Sequence, residues 1–182
     1  MRLILCLLIA AGAAFPQLVS FGVKGGAPVT ALVKSNAGFS NGNYTVGPTV
    51  ELHLPFHLSL ELDALYRSIN YGGNPVNPGQ SSGSAWEFPL LAKYRFARPF
   101  VSPFLDIGVA FNTLTGLGNI GNLTKSGADG IVVGGGLEGK FLFIRVAPEL
   151  RYTHWRTANI QLPNGASASN QNQFEALVGI TF

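Results

Sequence analysis

Phe174-Glu175-Ala176-Leu177-Val178-Gly179-Ile180-Thr181-Phe182 closes the sequence, and its reading decides the fold. In an extended chain successive side chains point to opposite sides. Phe174, Ala176, Val178, Ile180 and Phe182 therefore share one face, and Glu175, Leu177, Gly179 and Thr181 the other. The first face is wholly apolar. A bare apolar strand edge invites association with other chains. A membrane-embedded barrel uses such a strand, because pairing it with the first strand abolishes the edge.

Seven further stretches alternate in the same way. The first, about Val19 to Val33, is rich in glycine. The second sets Tyr44, Val46, Pro48, Val50, Leu52 and Leu54 against Thr45, Gly47, Thr49, Glu51 and His53. The third sets Leu58, Leu60, Leu62, Ala64 and Tyr66 against Ser59, Glu61, Asp63 and Arg67. The fourth sets Trp86, Phe88, Leu90, Ala92, Tyr94 and Phe96 against Glu87, Lys93 and Arg95. The fifth sets Leu105, Ile107, Val109 and Phe111 against Asp106, Gly108, Ala110 and Asn112. The sixth sets Ile131, Val133, Leu137 and Phe141 against Gly134, Gly136, Glu138 and Lys140. The seventh sets Ile144, Val146, Leu150 and Tyr152 against Arg145, Glu149, Arg151 and Thr153. Period-two alternation over about ten residues marks a membrane-spanning strand. Pro48, Pro89 and Pro148 would break helices.

The connections alternate in length. Short ones lie near Pro55 to His57, Ala97 to Ser102 and Lys140 to Phe143. Long ones, rich in Gly, Asn, Ser and Pro, lie near Ser35 to Asn43, Asn70 to Ser84, Thr113 to Ala128 and Arg156 to Gln171. That is the pattern of short periplasmic turns and long extracellular loops.

The charges decide which face looks where. Glu51, Glu61, Asp63, Glu87, Asp106, Glu138, Glu149 and Glu175 fall on the less apolar faces. Lys24, Lys93, Arg95, Lys140, Arg145 and Arg151 share those faces. A lipid-facing Lys or Arg at mid-bilayer costs about 2–4 kcal/mol. The apolar faces therefore look out and the charged faces in. An eight-stranded interior is just filled by its own side chains, so these charges are expected to form a paired polar core. Gly134-Gly135-Gly136 sits inside a strand with no Lys-Ser/Thr after it, so it reads as room for close packing. A soluble, ligand-binding barrel would invert the two faces.

Composition agrees. Hydrophobic residues make up 47% of the 182 and charged residues 12%, about half the usual charged share. No apolar run reaches the roughly 20 residues of a spanning helix. Residues 1–14 read as a signal peptide: Arg2, the apolar Leu3 to Ala11, then Ala11-Gly12-Ala13-Ala14 with Pro16 beyond. Residues 15–182 form the barrel domain. The one cysteine, Cys6, lies in the leader, so no disulfide is expected. Despite a net charge of +3, Lys and Arg are scattered, which argues against nucleic acid. His53, His57 and His154 lack metal-ligand clustering, and no cofactor is implied.

Aromatics are expected to form two belts at headgroup level. Phe56, Tyr94, Phe96, Phe100, Phe104, Phe141, Phe143 and Phe182 lie toward the short-turn side. Tyr44, Tyr66, Tyr71, Trp86, Phe111, Tyr152, Trp155 and Phe174 lie toward the loop side.

With eight alternating strands, alternating connection lengths and Phe182 in hand, residues 15–182 resemble the small bacterial outer-membrane β-barrel proteins of the OmpA/OmpX-like group. The resemblance implies an all-β, eight-stranded, antiparallel up-and-down transmembrane barrel, integral to the outer membrane and monomeric. It also implies that Phe174, Val178, Ile180 and Phe182 act as the signal read by the barrel assembly machinery. Partners implied are membrane lipid, lipopolysaccharide, periplasmic chaperones during biogenesis, and an extracellular ligand of the loops. The function expected is structural or surface-interacting and non-enzymatic, with a narrow porin-like channel as the alternative. A second alternative follows from His154-Trp155-Arg156-Thr157-Ala158 and Pro163-Asn164, which resemble a lipid A deacylase segment. His154 matches, but Arg156 stands where that family has its nucleophilic serine.

Overall fold

The computed structural model describes residues 18–30, 39–71, 81–98, 100–115, 127–156 and 170–182. The expected signal peptide and the middles of the four long connections lie outside these residues. The elements are β1 (Val19–Pro28), β2 (Phe39–His53), β3 (Leu58–Asp63), β4 (Leu65–Tyr71), β5 (Ser81–Arg95), β6 (Val101–Thr115), β7 (Gly127–Phe141), β8 (Ile144–Trp155) and β9 (Asn172–Thr181). No helix occurs among the described residues.

β3 and β4 are two halves of one strand. Both keep one register with β5, and one register with β2 as far as Thr45, beyond which the β2–β4 pairing shifts between Thr45 and Asn41. The strand itself breaks at Ala64, and prolines cause the break. Pro48 stands across from Ala64 and Pro89 across from Asp63, and proline has no N–H to donate. Ala64 still donates its N–H to the Pro48 carbonyl at 3.0 Å.

Eight spanning strands thus follow one another, each antiparallel to its neighbours. The ring closes because β1 pairs with both β2 and β9. Phe21 and Phe182 exchange both backbone hydrogen bonds, at 3.1 and 2.9 Å. The C-terminal strand, with its apolar face, is therefore a paired member of a closed sheet.

The sheet puts aliphatic and aromatic side chains outside: Leu60, Leu62, Leu90, Ile107, Val133, Val178 and their neighbours are exposed. Buried side chains are mostly polar or charged. A soluble protein hides the first set and displays the second. The arrangement here is the reverse, and it fits lipid outside.

Four strands run longer than the alternation suggested. β2, β5, β6 and β7 each have 15 residues, which at a tilt near 40° rise about 38 Å against an apolar band of about 25 Å. Phe39 to Asn43, Asn70 to Tyr71, Ser81 to Ser84, Thr113 to Thr115 and Gly127 to Ala128, expected in loops, continue the strands. Beyond the band nothing requires apolar alternation, so the sequence signal fades while the backbone ladder goes on.

Candidate functional site

Among the described residues, charged and polar side chains concentrate in the lumen, and its contents follow from strand parity. On β2 and β3, Glu51 and Glu61 stand directly opposite each other. Two like charges so placed repel. Lys93 on β5 resolves the conflict: its ammonium contacts Glu61 and lies 3.9 Å from Glu51. The same ammonium sits 4.6 Å above the centre of the Phe104 ring, an added attraction for the cation.

Lys24 and Arg151 join opposite walls. Lys24 contacts Glu61, with Glu149 at 2.7 Å and Asp63 at 3.4 Å. Arg151 bonds Glu149 at 2.7 Å and Asp63 at 2.9 Å, with Glu61 at 3.4 Å. All five are almost fully buried. Glu149 and Asp63 thus have two cations each and Glu61 three, the condition under which buried charges are tolerated. Nearer the loop end, Arg67 contacts Glu175 and donates to Thr45 at 3.2 Å and Gln173 at 3.5 Å. Arg67, Thr45 and Gln173 were absent from the expected charge core, although Arg67 has the parity of Glu61 and Asp63. Glu87 and Asp106 are buried too but have no ion pair among the described residues.

The triple glycine makes room for this interior. A Cβ on Gly134 would collide with the Asp106 carboxylate, and one on Gly136 would lie 2.7 Å from the Phe104 ring. Any larger residue at either position would displace an inward side chain.

Two aromatics depart from the expected belts. Trp155 is 1% exposed and packs inside with Leu91, Ala110, Ala128 and Val132. It shares parity with Arg151 and Thr153, so the strand aims it inward whatever its residue type. Phe104 is also buried, on the same face as Asp106. The Tyr71 side chain lies outside the described residues, and the other rings of the expected belts are outside or at the edges. Tyr66 packs edge-on against Trp86 at 5.3 Å, Trp86 stacks on Phe88, and Tyr152 lies 4.8 Å from Phe174. Tyr94 and Phe96 pair at 5.0 Å toward the short turns, where Phe56, Phe100, Phe141 and Phe143 are exposed. Tyr44 is exposed as well. Of the assembly-signal residues, Phe174, Val178, Ile180 and Phe182 all face outward.

At the short-turn end the lumen widens into an open cavity of about 490 Å³. Its inner wall is Arg95, which contacts Glu51 and bonds Glu138 at 2.8 and 2.9 Å. His53 and Arg145 lie 2.7 Å apart on its side. At the other end, His154 faces outward and shares the Asn172 side-chain oxygen with the Tyr152 hydroxyl, at 2.8 and 2.9 Å. Arg156 is exposed, 3.7 Å from Asp129. Thr157 lies outside the described residues.

No protein-family model matches the chain, and no curated protein does. Solved structures match over nearly the whole length. Neisserial surface protein A (NspA) aligns with a TM-score of 0.57 at 14% identity, over 90% of this chain and 95% of that one. The outer membrane protein OprG from Pseudomonas aeruginosa aligns at 0.53 and 12% identity, over 91% and 94%. The N-terminal β-barrel domain of Pseudomonas aeruginosa OprF covers 91% of this chain and 97% of its own, at 14% identity and a TM-score of 0.48. The expected OmpA/OmpX-like architecture is thereby met at the level of fold: the chain is a closed, all-β, eight-stranded antiparallel barrel of the outer-membrane kind.

Proposed function

We propose that this protein is an integral, monomeric outer-membrane barrel whose lumen is closed and whose role is structural or surface-interacting. Its four long connections would meet the ligand or partner on the extracellular side, its outer face would meet lipid and lipopolysaccharide, and it would catalyse no reaction. Its C-terminal strand, from Phe174 through Val178 and Ile180 to Phe182, would be the segment presented to the assembly machinery. The observation that supports this reading is the packing of side chains across the described lumen. The Lys24, Glu61, Glu149 and Arg151 network spans it, and the Leu91, Val132 and Trp155 cluster fills it nearer the loops. An interior of eight strands filled by side chains leaves no continuous water column.

Liposome swelling tests it. Vesicles carrying the folded barrel should swell no faster in small sugars or amino acids than empty vesicles. Rapid, protein-dependent swelling would overturn the closed lumen and favour the channel reading.

A further inference from the structure

The cavity at the short-turn end has a charge pattern unlike the rest of the lumen. Deeper in, Lys24, Arg67, Lys93, Arg95 and Arg151 each hold a carboxylate. At the mouth, Arg98, Lys140 and Arg145 have no carboxylate within ion-pair distance among the described residues. The acid that lines this cavity, Glu138, is already held twice by Arg95. Arg145 finds only the His53 ring, its Nη1 lying 2.7 Å from Nε2. A guanidinium cannot accept a hydrogen bond, so the ring nitrogen contributes its lone pair and Arg145 keeps its full charge. Arg145 is half-buried in the wall, whereas Arg98 and Lys140 are exposed at the rim. The exposed rings of Phe56 and Phe100 stand beside them.

A merely solvated basic rim would be convex and open. This one surrounds a concavity of about 490 Å³, within the 300–1,000 Å³ or so typical of small-ligand pockets. Its inner end is shut by the Arg95, Glu51 and Glu138 cluster, so a bound anion would stop there and not travel on. Guanidinium forks match phosphate and carboxylate geometry.

We propose that this short-turn vestibule binds a small ligand bearing two or more oxyanion groups, held by Arg145 in the wall and by Lys140 and Arg98 at the rim. The oxyanions can arrive on a free solute or on a lipid headgroup at the membrane surface, and the two sources are separable. Inorganic pyrophosphate titrated calorimetrically into the folded barrel in zwitterionic micelles at low salt should bind saturably. Affinity should fall at least about tenfold in Arg145→Gln/Lys140→Gln. Arg98→Gln, a turn variant that leaves the wall intact, should weaken it by less. Arg156→Gln, altered at the opposite end, should bind as the parent does. If pyrophosphate fails to bind, but phosphatidylglycerol co-purifies from mixed-lipid nanodiscs with the parent and not with the double variant, the site holds and its ligand is a headgroup. Neither probe binding, or both binding the double variant equally while it keeps its heat-modifiable gel migration, overturns the proposal.

Discussion

Replacing Arg151 with methionine should lower the unfolding free energy of the barrel by about 3–5 kcal/mol, because it strands a buried anionic cluster. Arg151 is the cation that Glu149, Asp63 and Glu61 share with Lys24. Methionine keeps most of the volume, so the loss would report charge and not a hole. Lys24 would remain among three carboxylates that have almost no solvent access, and only Glu61 would keep a second cation, Lys93. Adding Glu149→Gln should recover part of the loss, since it removes one of the stranded charges. Contacting groups in one network are not additive, and the double variant should be more stable than the sum of the single changes predicts. The measurement is equilibrium urea unfolding in phospholipid vesicles. A cost under about 1 kcal/mol for Arg151→Met would show that the network is loosely held and hydrated.

The second large effect is Trp155→Ala, expected to cost about 3–5 kcal/mol as a core aromatic truncation. Trp155 is among the largest fully buried side chains, and its neighbours Ala110, Ala128 and Gly130 are too small to fill the space it would leave. Trp86→Ala is the matched control. Trp86 faces outward and packs on Tyr66 and Phe88, and lipid can replace it, so about 1 kcal/mol of aromatic pairing is at stake. The same vesicle unfolding series reads both. Equal costs for the two tryptophans would contradict the inward placement of Trp155.

Much of this architecture was legible in the alternation of Phe174 to Phe182, of Trp86 to Phe96 and of Leu105 to Phe111. Parity along a strand is a geometric property of the backbone, so it survives whatever the neighbours do. Where residue type outweighs parity, expectation and structure part: aromatic character points Trp155 and Phe104 to the outer belts, yet they share parity with the inward Arg151 and Asp106. The loop-side ends of β2, β5, β6 and β7 carry no alternation outside the apolar band, so the sequence reads there as loop. Partnerships across the lumen were beyond reach. Lys24 meets Glu149 and His53 meets Arg145 only because the barrel closes, and no local pattern records which inward residues share a level. The short-turn vestibule is built the same way, from the ends of strands far apart in the chain.

The two tryptophans of the chain report directly on whether apolar faces meet lipid and polar faces fill the lumen. Trp155→Phe leaves Trp86 as sole emitter outside, and Trp86→Phe leaves Trp155 as sole emitter inside. Both variants are folded into vesicles with and without brominated phosphatidylcholine, and tryptophan emission is recorded. Bromine quenches by contact within the acyl region, so Trp86 should be strongly quenched and Trp155 scarcely at all. Strong quenching of Trp155, or none of Trp86, would mean that the faces are reversed or the barrel lies outside the bilayer.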